Sequence, residues 1–155
     1  RVVGLFNFDD DAKDLAHPLP PGRWHAFELW GERYLGAIEG EITFALVEAH
    51  GCRVVSLRPV KDAPSVVGTN AHIGIGALDV AAAAFDEGSA TLRLSLAPAG
   101  RRRRTVWIAG GGRRAVAARL AGAGVTLKPA GPDAWRIDLI LDAEAALEVT
   151  FGHET

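Results

Sequence analysis

Alternation of hydrophobic and polar residues dominates several short stretches of the chain. The clearest are residues 41–47 (EITFALV), 91–96 (TLRLSL), 134–141 (AWRIDLIL) and 146–151 (ALEVTF). Successive side chains of a β-strand point to opposite faces of the sheet, so this period of two predicts strands with one buried face. Glycine- and proline-rich segments between the stretches are typical of turns. The pattern predicts an all-β fold built as an antiparallel β-sandwich.

Two alanine-rich segments depart from this alternation. Residues 80–85 (VAAAAF) and 113–122 (RRAVAARLAG) have the intrinsic propensity to form short helices. Both are short, and both are flanked by alternating segments. We therefore interpret them as strands whose conformation is set by their neighbours in the sheet.

The chain is 155 residues long, which suits one domain with its own hydrophobic core. Within a single domain over 1–155 we expect a first group of strands in 1–62, a crossover in 63–80 and a second group in 81–155. The chain starts inside a predicted strand and contains no methionine, so we expect it to be a piece of a longer protein. It carries no signal that assigns a cellular compartment.

The composition and the net charge limit the kinds of molecule that the chain is expected to bind. Hydrophobic residues make up 48% of the chain and charged residues 23%, and the net charge is -2. These values indicate a globular domain and predict neither a nucleic-acid nor a membrane partner. No apolar run approaches the roughly 18 residues of a membrane-spanning helix. Cys52 is the single cysteine, so it has no internal disulfide partner and is expected to be a small buried hydrophobe.

Two charged clusters suggest binding sites at first sight. The acidic run at 9–14 (DDDAKD) has oxygen ligands for a hard cation but lacks the ligand spacing of an EF-hand loop. The basic run at 101–104 (RRRR) resembles a phosphate-binding cluster. It enters a predicted strand, where alternation would point its side chains to opposite faces. We interpret the acidic run as a solvated turn and the basic run as a charged strand end that discourages edge pairing.

No pattern of catalytic, metal-binding or cofactor-binding residues emerges. The histidines form no H-x-x-x-H or H-x-H pair, and no serine has the G-x-S-x-G context of a nucleophile. Residues 66–80 (VVGTNAHIGIGALDV) contain a Gly-Ile-Gly, but the third glycine of a dinucleotide-binding turn is missing. We therefore predict no catalytic residue, no metal and no cofactor.

Two tryptophans in residues 23–30 (RWHAFELW) allow three interpretations. Alternation separates Trp24 and Trp30 from Phe27, and if Phe27 faces the core the indoles lie outside it, about 20 Å apart at roughly 3.3 Å per residue. The assignment of faces can also be reversed, which places the indoles in the core. If they lie outside, they form either a patch covered by another domain or, with Tyr34, a platform for stacking sugar rings.

Several motifs together resemble a known family. They are LFNF at 5–8, GRWHAFELW at 22–30, YLG at 34–36, HGCRVVSLRP at 50–59 and VGTNAHIGIGA at 67–77. In this order they resemble the C-terminal β-sandwich of melibiase-type α-galactosidases and related glycoside hydrolases. The resemblance covers roughly residues 3 to 80. Phe8 stands where that family has tryptophan, and residues 81–84 are more alanine-rich than the family pattern.

The resemblance implies a role outside catalysis. In such enzymes two carboxylates about 5 Å apart perform the retaining chemistry, and they lie on a (β/α)₈ barrel. No acidic residue of this chain matches either role. The resemblance implies an accessory domain that packs on the catalytic barrel of the same polypeptide, in part through residues 23–36, with His72 as a structural or interdomain hydrogen-bonding residue in a crossover. The alternatives are a carbohydrate-binding module, with galactosides as ligands, and an unrelated structural sandwich.

Overall fold

The computed structural model describes residues 1–71, 80–97 and 101–152, and these residues form strands and no helix. The predicted all-β fold is confirmed. The strands are β1 (Val2–Phe6), β2 (Lys13–Pro18), β3 (Trp24–Glu28), β4 (Arg33–Ile38), β5 (Glu41–Val47), β6 (Cys52–Pro59), β7 (Ser65–Thr69), β8 (Val80–Asp86), β9 (Thr91–Leu96), β10 (Arg102–Ala109), β11 (Arg114–Leu120), β12 (Ala123–Val125), β13 (Leu127–Pro129), β14 (Ala134–Leu141) and β15 (Ala145–Gly152). A search of the same residues for a helix long and apolar enough to cross a membrane found none.

The chain divides into two compact units, Arg1–Val60 and Lys61–Thr155. Each unit has its own sheets and its own hydrophobic core. The segment expected to be a crossover, residues 63–80, contains strand β7, which pairs with β10 of the second unit. The rest of that segment from residue 72 to 79, with His72, lies outside the described residues.

The first unit contains a four-stranded antiparallel sheet in the order β1-β6-β3-β4 and a two-stranded sheet, β2-β5. In β5 the buried Ile42 and Phe44 share one face by alternation. A bulge before Val47 interrupts the alternation, and the buried Val47 packs in the same core cluster as these two residues. The buried core consists of Leu5, Ala26, Ile42, Phe44, Val47, Val55 and Leu57. Trp24, Leu35 and Ile38 are partly buried and pack against it.

The second unit is an antiparallel β-sandwich of two sheets, β13-β14-β10-β7 and β12-β11-β15-β9-β8. Its core takes residues from both sheets: Val66, Leu92, Leu94, Leu96, Val106, Ile108, Ala115, Ala118, Ile137, Leu139, Leu141, Leu147, Val149 and Phe151. The alanine-rich segments form β8 and β11, as predicted. β8 pairs with β9, and β11 pairs with β15. This pairing with neighbouring strands outweighs the helix propensity of the alanines.

The basic run follows the alternation expected of it. Arg102 and Arg104 lie opposite the buried Leu141 and Leu139 of β14, and Arg103 lies opposite Ile140, which is 62% exposed. Neighbouring arginines therefore belong to opposite faces of the sheet.

Cys52 corrects an expectation, because it is only partly buried. Its partner across the sheet is Phe6 of the edge strand β1. Directly paired residues of an antiparallel sheet share one face, and Phe6 is itself 53% exposed, so Cys52 lies on an exposed face of the sheet.

Candidate functional site

Trp24 is partly buried and packs against the first unit's core. Its ring packs against the core cluster, and its indole N–H donates a hydrogen bond of 3.0 Å to the carbonyl of Pro20. The Arg1 guanidinium lies 5.5 Å from the ring centroid. The interpretation that places both tryptophans outside the core is therefore wrong for Trp24. Alternation could not decide the face, because His25 and Phe27 on the opposite side of β3 are buried as well.

Trp30 is 58% exposed in the turn after β3. The buried Glu28 carboxylate holds this turn by accepting hydrogen bonds from the backbone N–H groups of Trp30, at 3.2 Å, and of Gly31, at 2.8 Å. These bonds satisfy a carboxylate that would otherwise be costly to bury. Trp30 therefore projects from a turn with a fixed backbone.

Tyr34 is partly buried on β4, and its hydroxyl lies 2.8 Å from Nδ1 of the buried His25. His25 follows Trp24 directly in β3, so their side chains belong to opposite faces of the sheet. Tyr34 shares the face of His25, and Trp24 packs on the core side. The three aromatic residues considered for a sugar platform thus do not form one surface, and His72 lies outside the described residues.

Two phenylalanines form an exposed aromatic pair that the sequence interpretation did not single out. Phe6 is 53% exposed and Phe8 80% exposed, and their rings are stacked at 16° with centroids 5.9 Å apart. The Phe6 ring covers Gly4, where an added Cβ would lie 2.8 Å from its Cε2 atom. The alternation of LFNF carries the signal, since the buried Leu5 and Asn7 leave Phe6 and Phe8 on the other face.

Asn7 fastens the acidic turn to the turn before β6. Its side-chain amide donates to the carbonyls of Asp11, Val47 and Glu48 at 2.8, 3.0 and 2.9 Å, and its Oδ1 accepts the N–H of Asp9 at 3.0 Å. Asn7 is 1% exposed. An amide that satisfies this many backbone groups at once fixes the conformation of the turn.

The acidic turn itself is solvated, as predicted. Lys13 pairs with Asp9 at 2.6 Å, and His50 lies 3.1 Å from Asp10. These side chains are largely exposed, so the pairs contribute little to stability. Across the part of the chain that the structure describes, no group of three or more His, Cys, Asp or Glu side chains could hold a metal ion.

A cleft of about 460 Å³ opens in the first unit between β4 and β5. These strands follow each other in the chain but belong to different sheets, so they diverge from the short turn that joins them. The apolar lining is Leu35, Ile38, Ile42, Phe44 and Ala45, and the polar lining is Arg33, Glu41, Thr43 and Arg53. The volume lies within the range of about 300–1,000 Å³ typical of small-ligand sites.

The two arginines of this cleft differ in the hydrogen bonds and ion pairs that they make. Arg53 donates two hydrogen bonds to the Glu48 carboxylate, at 3.1 and 2.8 Å, and one of 2.9 Å to the carbonyl of Cys52. The bond from Arg53 lowers the pKa of Glu48 to about 2. Within the described ranges, Arg33 makes neither an ion pair nor a side-chain hydrogen bond. The cleft thus has one fixed arginine and one available to a ligand.

Comparison with known proteins adds no assignment to this geometry. No protein-family model matches the chain, and no curated protein sequence matches it.

Proposed function

We propose that the chain is a non-catalytic accessory β-sandwich of a glycoside hydrolase acting on α-galactosides. It would pack on the catalytic (β/α)₈ barrel of the same polypeptide and stabilise it. The sequence motifs resemble such a domain, and an all-β chain is compatible with that resemblance. In this proposal the chain provides a docking surface, and the barrel provides the catalytic carboxylates.

One observation carries the proposal: the first unit exposes three aromatic side chains, Phe6, Phe8 and Trp30, each by more than half. A fully buried aromatic residue removes about 150–250 Å² from water, so covering the exposed parts of three would bury a few hundred Å². At about 25 cal/mol per Å², that area is worth several kcal/mol. This is a large contribution for a domain interface, since whole domains are stable by only about 5–15 kcal/mol.

The proposed docking surface differs from the one expected from the sequence. Residues 23–36 contribute Trp30 at their exposed turn, while Trp24 and Tyr34 are held within the unit by Pro20 and His25. The aromatic pair of Phe6 and Phe8 adds a second contact region.

The test uses the longer polypeptide that the proposal requires, carrying Trp30→Ser or Phe8→Ser. Each change should lower the thermal midpoint of the barrel by several degrees, because the interface loses apolar area. Ile140→Ser in the second unit is the matched control, because this side chain is 62% exposed but is not assigned to the interface. An equal loss in all three variants, or in none, would contradict the docking surface.

A second measurement tests the assignment of activity. Hydrolysis of a chromogenic α-galactoside is assayed side by side for the longer polypeptide and for residues 1–155. Turnover by the longer protein alone is the expected result, and turnover by residues 1–155 would overturn the accessory role. If neither hydrolyses the α-galactoside, the substrate proposal fails.

Trp30 also leaves the carbohydrate-binding alternative open to test. Its exposed ring could stack on a sugar, although Trp24 and Tyr34 lie on opposite faces of the sheet and so cannot both form one platform with it. Galactose titration followed by tryptophan fluorescence should give no saturable change for residues 1–155. Saturation that disappears in Trp30→Ala would favour the binding module over the accessory role.

A further inference from the structure

We propose that the cleft between β4 and β5 binds a small amphipathic carboxylate, with the carboxylate on Arg33 and the apolar body on the floor of the cleft. This inference goes beyond the accessory role and does not depend on it. All the residues that line the cleft belong to the first unit.

The apolar floor is part of the first unit's core. Ile42 and Phe44 are buried core residues, and Leu35 and Ile38 pack against them while remaining partly exposed. Partly exposed aliphatic side chains beside a cavity gain free energy when an apolar group removes them from water. The floor therefore favours an apolar ligand body.

The charges orient the ligand along the cleft. Ile38 and Glu41 flank the turn between the strands, whereas Arg33 begins β4 and lies at the other end. Glu41 would repel a carboxylate placed near the turn, and Arg33 would attract one placed at the far end. The carboxylate is therefore expected at the Arg33 end.

Arg33 is the residue that is free to bind. The Arg53 guanidinium is held by the Glu48 carboxylate and the Cys52 carbonyl. The Arg53 side chain is therefore a fixed part of the cleft wall, and few of its N–H groups are left to bind a ligand. Since Arg33 has no carboxylate partner among the described residues, it can form a bidentate, charge-assisted pair with a ligand without breaking an existing one.

Two other classes of ligand fit this cleft less well. An extended peptide would need regular strand edges, but β4 is bulged opposite Ala26 and Phe27, and β5 is bulged near Leu46, which has a φ of 48°. Bulges interrupt the spacing of edge groups that an added strand requires. A neutral sugar would bring many hydroxyls against an aliphatic floor, where they would lose hydrogen bonds to water.

The test titrates 4-phenylbutyrate and its neutral analogue 4-phenylbutanol into ¹⁵N-labelled chain 1–155. The carboxylate should bind with a dissociation constant of about 1 mM, typical of a ligand of this size, and shift the amide signals of β4 and β5. The alcohol should bind about tenfold more weakly, because it lacks the charge-assisted pair. Shifts confined to other strands, or equal affinities, would overturn the proposal.

Two variants test separately how the charge of Arg33 and the volume of the cleft contribute to binding. Arg33→Gln should reduce the affinity for the carboxylate to that for the alcohol, and Arg119→Gln, an exposed arginine of the second unit, should leave both unchanged. Ala45→Phe, which fills the cleft from its exposed wall, should weaken both ligands about equally. An Arg33→Gln protein that still prefers the carboxylate, or an Ala45→Phe protein with undiminished binding, would contradict the assigned site.

Discussion

The two units are both built from two antiparallel sheets, but only the second encloses its core with sheets of similar size. Its sheets have four and five strands and together bury a large cluster of aliphatic side chains. The first unit sets a four-stranded sheet against a two-stranded one. A two-stranded sheet has less surface to offer, so the first unit keeps partly exposed residues such as Leu35 and Ile38 at the margin of its core.

The difference indicates a division of roles. In the second unit, two sheets of similar size cover the core from both sides. In the first unit the core is smaller, and the cleft and the exposed aromatic rings leave apolar surface that a partner or ligand can cover. Both proposals above therefore concern the first unit. Matched substitutions in the two units distinguish a closed second core from an open first one.

The largest expected effect comes from the same substitution made in each core. Ile137→Ala should destabilise the second unit by about 4 kcal/mol, because Ile137 is 0% exposed and its loss leaves an enclosed cavity. Ile38→Ala, at the edge of the cleft, should cost the first unit only about 1 kcal/mol. Amide hydrogen exchange, read separately for peptides from residues 1–60 and 61–152, measures the two losses. Equal losses would show that the first core is as closed as the second.

Most of the strands could be predicted from the sequence, because period-two alternation reports a sheet with one buried face. The alternation failed in β3, where Trp24, His25 and Phe27 are all at least partly buried. A strand covered on both faces carries no signal that identifies the core side. The cleft could not be predicted either. Arg33 and Phe44 line the same cleft because β4 and β5 belong to different sheets, and the alternation pattern does not show which sheet a strand joins.

The next largest effect concerns a turn of the second unit that packs closely on its own backbone. Gly111 has a φ of 61°, and an added Cβ would lie 2.6 Å from the carbonyl carbon of Ala63. Gly111→Ala should therefore cost about 3 kcal/mol, since backbone strain and a clash with rigid backbone add together. Gly112 has a φ of 82° but open space around it. Gly112→Ala should cost only about 1 kcal/mol. Urea titration of both variants measures the two costs, and equal costs would mean that the turn is not closely packed.

A smaller effect compares one asparagine from each unit. Asn7→Ala removes a side chain that bonds four backbone groups of the first unit. It should cost that unit about 2 kcal/mol and speed hydrogen exchange in the acidic turn. Asn70→Ala removes the hydrogen bond of 2.9 Å that the Asn70 side chain accepts from the N–H of Thr105, and it should cost the second unit about 1 kcal/mol. If hydrogen exchange in the acidic turn were unchanged in Asn7→Ala, Asn7 would not be what holds that turn.

The smallest effect is a pH dependence at the cleft wall. Arg53 lowers the pKa of Glu48 from 4.5 to about 2 in the folded protein. A depressed folded-state pKa means that the ion pair contributes stability above pH 4.5, and the contribution is lost as the pH falls from 4.5 towards 2. Glu48→Gln should therefore flatten the loss of first-unit stability across this window, as measured by hydrogen exchange in residues 1–60.

Asp86 and Asp138 of the second unit also have lowered pKa values, because Ser89 and Arg93 stabilise the first carboxylate and Lys128 the second. The second unit will therefore lose stability in acid as well. Only the difference between wild type and Glu48→Gln within the first unit reports on the cleft wall. Arg53→Gln should also flatten the loss, because it removes the largest cause of the lowered pKa of Glu48. The double variant should add nothing to Glu48→Gln, which already removes the carboxylate. If the pH dependence of first-unit stability were unchanged in Glu48→Gln, solvent screening would have removed the contribution of the Glu48–Arg53 pair to stability. Arg53 would then be a mobile part of the cleft wall and not a fixed one.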